Sequence, residues 1–393
     1  EQAVAASLRA TGPLAISLSG GLDSSSIAVV AHRLMHEEQR IPDVPTYLYT
    51  HRARGWQESD ESVYRDAVVA RLPHFRGVCL DREWAWDWPL VERWQRHLSM
   101  PAYLPNGYSF QPRIDRAQAD GCRVLISGAG GDIITGGEDY ALIPVFDSLP
   151  LLQRVSELPY FAHGGPRAYG RLFKEWLRFH LPAAILAWWQ RRRRAPRLAT
   201  EKCEALAACR LANARGAFNV QRSTFQQHFE RVLTSFFFLI PFELNPELLA
   251  LHGIEYRCPF YDRRLVELAF HLPLSLRISR GRNRLQIKRA LADDLPPELL
   301  SRTTKAHFTR FTGLAVAEED HTRAVDLLGD GFLARQGWIA EEIWPRWAAQ
   351  TDNPMQRIYL HRAAHIEQWL SSLTEQMDSD QEVSERLKFR RSQ

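Results

Sequence analysis

No two of the five cysteines, Cys79, Cys122, Cys203, Cys209 and Cys258, form a C-x-x-C pair. That spacing marks zinc sites and redox dithiols, so neither is expected, and reduced thiols in a cytoplasm are the simple reading. No apolar run approaches membrane length: Phe236 to Ile240 is far below the roughly 20 residues a spanning helix requires. The N-terminus has no signal-peptide pattern, and the chain has no internal repeat. A large excess of charge is missing too. The formal net charge of +4 is mildly basic and does not by itself argue for nucleic acid. With 45% hydrophobic and 24% charged residues in 393, the composition is that of a globular protein, long enough for one large domain or two smaller ones.

What is there is a loop. Ser19-Gly20-Gly21-Leu22-Asp23-Ser24-Ser25 directly follows the apolar run Leu14 to Leu18. A buried strand ends, two glycines turn the chain tightly, and a helix starts at Asp23 or Ser24. Glycine lets several backbone N–H groups converge on one point, and the helix N-terminus adds its positive dipole end. Ser19, Ser24 and Ser25 supply hydroxyls. The pattern suits phosphate, above all pyrophosphate. Asp23 would repel a bare phosphate, but it fits if Mg2+ lies between the two. The bland reading, a glycine turn with a capped helix, accounts for less of the string. The G-K-[ST] of a Walker loop is absent, which excludes a kinase- or GTPase-type site.

Around this loop strands and helices alternate. After strand Leu14–Leu18 comes a helix with Ile27, Val30, Ala31 and Leu34 on one face. Thr46–Thr50, Val78–Leu80 and Val124–Ile126 read as strands, and Asp60–Leu72 as a helix. Such alternation predicts an α/β fold with a doubly wound parallel sheet, its ligands at the carboxyl ends of the strands. From about Pro150 the pattern is helical. The expected division is an α/β core over 1–149 and a helical part over 150–393. The run Arg191 to Arg194, broken at Pro196, is either a solvated connection or a basic surface for an acidic partner. Trp84, Trp86 and Trp88, and the Trp188-Trp189 pair, suit packing better than a binding groove.

Four blocks together carry a resemblance. Ser19 to Ser24 is similar to the pyrophosphate loop of N-type ATP pyrophosphatases. Val124 to Asp132, followed by Gly136-Gly137, resembles the second signature of the asparagine synthetase synthase domain. Gly253 to Asp262 is close to that family's E-x-R-x-P-F-x-D block. Leu295-Pro296 and Arg302-x-x-Lys305-x-x-Phe308 form the fourth. The blocks stand in the family's order over about Leu14 to Phe311.

The resemblance implies a fold of the adenine-nucleotide α-hydrolase type and a two-step reaction. A carboxylate attacks the α-phosphate of ATP, giving an acyl-adenylate and pyrophosphate, and an amine then displaces AMP. It implies ATP and Mg2+ as cofactors, with Asp23 and Asp132 on the metal. Leu18, Ser19, Gly20, Gly21, Asp23, Ser24, Ser127, Gly128, Arg284, Lys288 and Lys305 would line the nucleotide and pyrophosphate. Lys305, Asp132 and Glu255 would be catalytic. Arg284 and Lys288, at i and i+4, would share a helix face. Glu255 and Arg257 either order the site wall or form a structural ion pair.

The departures matter as well. Asparagine synthetases carry glutamates where this chain has Ala129 and Ile133. β-Lactam synthetases carry a tyrosine at the first of these. Alanine can neither take a proton nor hold an aspartate by charge, and it leaves room for a bulkier acyl donor. The chain begins at Glu1 without a methionine, and the pyrophosphate loop follows soon after, so no glutaminase segment is expected in it. The branch favoured is similar to lasso-peptide macrolactam cyclases, which join a precursor peptide's α-amine to an Asp or Glu side chain. The implied partners are that precursor peptide and a leader-peptide protease. A synthetase joining a small acid to an amine or ammonia is the alternative. A catalytically dead nucleotide- or peptide-binding scaffold is the third, and intact Asp23, Asp132 and Lys305 argue against it.

Overall fold

The computed structural model describes residues 1–51, 60–80, 88–98, 101, 110–136, 138–162, 166–181, 224–234, 236–277, 283–302, 318–341, 344–349, 357 and 360–374. Five strands form one parallel sheet: β1 (Leu14–Ser17), β2 (Thr46–His51), β3 (Arg76–Leu80), β4 (Val124–Ile126) and β5 (Glu255–Arg257). Their order is β3-β2-β1-β4-β5, and every neighbouring pair is parallel. The first helices are α1 (Gln2–Ser7), α2 (Leu22–His32) and α3 (Ser62–Val69).

Composition explains the positions in the sheet. Leu14, Ala15 and Ile16 of β1 are fully buried. A strand covered on both faces reads as an unbroken apolar run, which is why β1 and β4 do not alternate. β3, at one edge, exposes Arg76, Gly77 and Cys79. Helix α2 has no polar face; every residue from Ser24 to His32 is buried. Burying Ile27 and its neighbours contributes roughly 1.5–3 kcal/mol per large aliphatic side chain. The same core takes in Leu18, Val124, Ile126, Phe225, Phe229 and Phe260.

The chain steps outward from β1 through β2 to β3, then returns to the other side of β1 with β4. That reversal opens a crevice between the carboxyl ends of β1 and β4, where open α/β sheets bind ligands. The doubly wound parallel sheet expected from sequence is present. The helix expected at Asp60–Leu72 is shorter, Ser62–Val69.

Among the described residues the part after 150 is helical, with one exception that periodicity misses. Glu255–Arg257 pairs with β4 in the register Val124↔Glu255, Leu125↔Tyr256, Ile126↔Arg257. Three residues between Gly253, at φ +72°, and Pro259 carry no alternation to read. The exposed edge of β4 supplies the order instead.

Two compact units result. The first comprises Glu1–Arg82, Arg113–Arg194 and Arg210–Ala306; the second comprises Glu83–Pro112, Ala195–Cys209 and His307–Gln393. The second unit has a core of its own, built on Trp88, Ala324, Leu328, Leu333, Ile339, Leu360 and Ala364. Trp88 therefore packs, as expected. Trp84, Trp86, Trp188, Trp189 and the Arg191–Arg194 run lie outside the described residues. No described helix is long and apolar enough to cross a membrane. The described cysteines, Cys79, Cys122 and Cys258, are free thiols.

Candidate active site

The loop after β1 is held by its own serines. Ser19 Oγ accepts from Gly21 N at 3.1 Å and shares a hydrogen bond with Ser24 Oγ at 3.1 Å. Ser24 Oγ accepts from Ser19 N at 3.2 Å and donates to Gly21 O at 3.3 Å. Gly20 sits at φ +94°, and a Cβ there would lie 2.7 Å from Glu61 O and 3.0 Å from Arg65 N. Only glycine combines that φ with that approach. Gly21 caps α2 in extended conformation. The dipole end of a buried helix thus faces the loop, a ready anion site. Leu18 is fully buried, so its side chain belongs to the core and only its backbone leads into the loop.

The loop after β4 lies directly on the first. A Cβ on Gly128 would stand 2.7 Å from Ser24 N and 3.0 Å from Ser24 Cα. A Cβ on Gly131 would overlap the Asp23 carboxylate. These two glycines let the loops meet backbone to backbone, and they put Asp23 beside the residue preceding Asp132. Ser127 Oγ accepts from Ala129 N at 3.2 Å, and Asp132 Oδ1 accepts from Ile133 N at 3.1 Å. A wide helical turn of the i→i+5 kind follows over Asp132–Gly136. Such turns are rare and cluster at functional sites.

Cations close the far side. Arg284 forms an ion pair with Asp23 through Nη2 and donates from Nη1 to Asp23 Oδ2 at 3.0 Å. It also donates to Thr135 Oγ1 from Nε at 3.1 Å and Nη2 at 2.7 Å. Burial pulls its pKa down to about 9, which still leaves it cationic at neutral pH. The shared helix face expected for Arg284 and Lys288 is not formed. Arg284 precedes the helix Leu285–Ala290 in left-handed conformation, at φ +55°, so α-helical spacing does not apply to it. Lys288 Nζ donates instead to Arg302 O at 2.7 Å.

Arg302 and Glu61 form a further, buried pair, Nη1 to Oε1 at 2.6 Å, with Arg302 4.3 Å over the Tyr64 ring. Glu61 abuts both loop glycines, with its backbone O at Gly20 and Oε2 3.8 Å from where a Gly21 Cβ would be. Sequence reading missed Glu61 and Thr135, because neither stands in a recognisable spacing. Arg302 carried a signal through its place in the fourth block. Lys305 lies outside the described residues.

Glu255 departs from its expected catalytic place. It begins β5, opposite Val124, so it stands at the amino end of the sheet rather than the carboxyl end. Its carboxylate takes a fork from Arg257, Nε at 2.8 Å and Nη2 at 2.6 Å, which holds its pKa below the usual range. Arg257 continues to Ser7 O at 2.9 Å and Arg9 O at 2.6 Å. This arrangement is the structural ion pair, tying the chain after α1 to β5. Ile133 is likewise a core residue, 8% exposed, and not part of the crevice wall. The wall near Ala129 is aromatic. A Cβ on Gly130 would meet the Tyr261 ring at 2.5 Å, and Phe242 packs edge-on to Tyr261 at 4.9 Å. Tyr256 bonds to Ser127 and Cys258, and burial pushes the Tyr256 and Cys258 pKa values up, Cys258 to about 12.

The residues present suit Mg2+. Asp23 and the hydroxyls of Ser19, Ser24 and Thr135 are hard oxygen donors, and Asp23 is largely withdrawn from water. Among the described residues no group of three or more His, Cys, Asp or Glu could hold a metal alone. Mg2+ does not require one, since it is commonly held by one or two carboxylates plus substrate phosphates and water.

One stretch is similar to Amidase chry2 of Gibberella zeae, 29% identical over 149 residues, 35% of this chain and 21% of that protein. The chain thus spans about a fifth of the length of that curated relative. The Asparagine synthase family matches residues 1–371, which contain both glycine loops and the cations opposite them. The chain belongs to the asparagine synthase family.

Proposed function

We propose that this chain forms amide bonds at the cost of ATP, releasing AMP and pyrophosphate. The observation that carries the reading is the meeting of two glycine loops at the sheet's switch point, with the Asp23 carboxylate against Gly131, the residue preceding Asp132. In this reading the phosphates lie against the N-terminus of α2, where loop N–H groups and the Ser19 and Ser24 hydroxyls orient them. Asp23 and Asp132 would hold Mg2+, which when bound neutralises phosphate charge and polarises the α-phosphate. A substrate carboxylate attacks the α-phosphorus, the α–β bridge bond breaks, and pyrophosphate leaves. An amine then attacks the acyl carbon, its proton is lost, and AMP departs. Lys305, matched by the family's fourth block, would stabilise the charge that develops.

The finer assignment is macrolactam closure of a peptide. Ala129, half-buried in the second loop beside the aromatic wall of Tyr261 and Phe242, supports it. No carboxylate stands at position 129 to claim the amine of free aspartate. A peptide with a free N-terminal amine and an Asp or Glu a short ring's length along would be cyclised with loss of one water. Mass spectrometry and resistance to aminopeptidase read the product. Detection of ADP instead of AMP would sink the mechanism. Conversion of aspartate and ammonia or glutamine to asparagine would replace the peptide reading with that of a small-acid synthetase. Ala129→Glu should impair peptide closure by filling the crevice; unaltered closure would remove position 129 from the argument.

A further inference from the structure

The crevice already contains a cation of the protein's own. Arg284 donates to Asp23 Oδ2 and forms an ion pair with its carboxylate, and the same guanidinium donates twice to Thr135 Oγ1. Thr135 is in turn anchored to Gly131 O. The pair is mostly withdrawn from water, with side chains 12% and 19% exposed. The Asp23 carboxylate lies against Gly131, so closely that a Cβ there would overlap it. Arg284 holds this contact from a left-handed backbone, φ +55° and ψ +35°. A residue bearing a side chain keeps that conformation where its surroundings demand it.

We infer that Arg284 is a built-in stand-in for the metal: without nucleotide it occupies Asp23 and keeps the free ion out, and the phosphates of ATP draw it away. The inference rests on Asp23 being a metal ligand. A divalent ion approaching Asp23 alone would meet the guanidinium at close range in a poorly solvated crevice, where like charges repel strongly. Mg2+ also dehydrates reluctantly, and carboxylates without the substrate phosphates offer little in return. An entering triphosphate changes both terms. It gives the planar guanidinium a bidentate anionic partner, and it brings oxygens that complete the ion's shell. Ion and nucleotide then enter together, each raising the other's affinity by the same factor.

The test uses Mn2+ as a spectroscopic probe, titrated into the full chain and followed by electron paramagnetic resonance. Titrations run with and without an ATP analogue whose α–β bridge is methylene. Wild type should bind Mn2+ weakly alone and well with the analogue. Arg284→Gln should bind Mn2+ alone more tightly by about tenfold or more, the ordinary scale of coupling between linked sites. That gain should vanish in the Asp23→Asn, Arg284→Gln double variant. Melting curves confirm that each variant is folded. Equal affinity of wild type and Arg284→Gln for Mn2+ alone overturns the inference. If, with those affinities equal, analogue-dependent binding in wild type still needs Asp23, only the role of Arg284 falls. Should Asp23→Asn leave analogue-dependent binding unchanged, the metal assignment falls and the inference with it.

Discussion

Single atoms decide this site. Gly131 and Gly128 touch Asp23 and Ser24 so closely that one methyl has nowhere to go. Gly131→Ala should push the Asp23 carboxylate aside, cut ATP consumption by about two orders of magnitude or more, and cost roughly 1–3 kcal/mol of stability from overpacking. Pyrophosphate release and a thermal melt measure both, and a normal rate would mean the loops do not converge on the nucleotide. Asp23→Ala and Asp132→Ala should each abolish AMP formation, because phosphate charge loses its neutralising ligand. Asp23→Ala also strands the buried Arg284 guanidinium and should lower the melting temperature. An unchanged melting temperature in Asp23→Ala would argue against the Asp23–Arg284 pair.

At the scale of elements, what positions the site is a set of struts that no motif announces. Arg277, fully buried on the short helix Leu274–Arg277, donates to Ile134 O at 3.2 Å and Gly136 O at 3.4 Å, and also to Ala269 O. It lies over the rings of Phe225 and Phe229, 5.1 and 5.5 Å from their centroids. One cation thereby ties the turn after Asp132 to the helix Arg263–His271. Arg277→Met should leave those carbonyls without their donor and destabilise the protein by about 2–4 kcal/mol. Urea unfolding checks this, and a change below 1 kcal/mol would mean the turn holds itself. The pair of Glu61, just before α3, with Arg302, just after the helix Pro297–Ser301, is a second strut. A double-mutant cycle on Glu61→Gln and Arg302→Gln should give a coupling of about 1–2 kcal/mol, more than exposed pairs show. β5 belongs at this scale too, since it exists because β4 offers it an edge.

For the whole molecule, acid should be the weak flank, and both units contribute. His32 is held neutral by burial, then by the nearby His36 and His74, against a partial pull from Glu37. Its Nε2 lies 2.9 Å from His74 Nδ1 and its ring 5.0 Å from that of His36. Burial likewise depresses His51, helped by Arg113 and Arg65. In the second unit His361 is brought to about 3 by burial, then by His365, His321 and Arg357. Each of these takes up its proton near pH 6.5 in the unfolded chain and resists it when folded. The unfolded state therefore binds more protons below that pH. Stability is present above about pH 6.5 and is lost as pH falls below it, at up to roughly 1.4 kcal/mol per pH unit for each such group. Melting temperatures from pH 8 to pH 5 should fall, and His32→Phe should flatten the slope. A flat profile for the wild-type protein would show that the histidines are already solvated.

The sequence by itself determined what depends on neighbours along the chain. The strand–Gly-Gly–helix loop at Ser19–Ser24, the apolar runs of β1 and β4, and the alternation that builds a parallel sheet are local patterns. Each carries its own cause in backbone freedom, dipole direction or burial on two faces. Tertiary structure alone decided what depends on contacts far apart in sequence. It set β5 on the edge of β4, carried Arg257 to the carbonyls of Ser7 and Arg9, and placed Ile133 in the core. It also brought Arg284 to Asp23 and Arg302 to Glu61. An ion pair leaves no period in a sequence. Its partners are chosen by which buried charges the fold brings within reach, and a buried charge must find one.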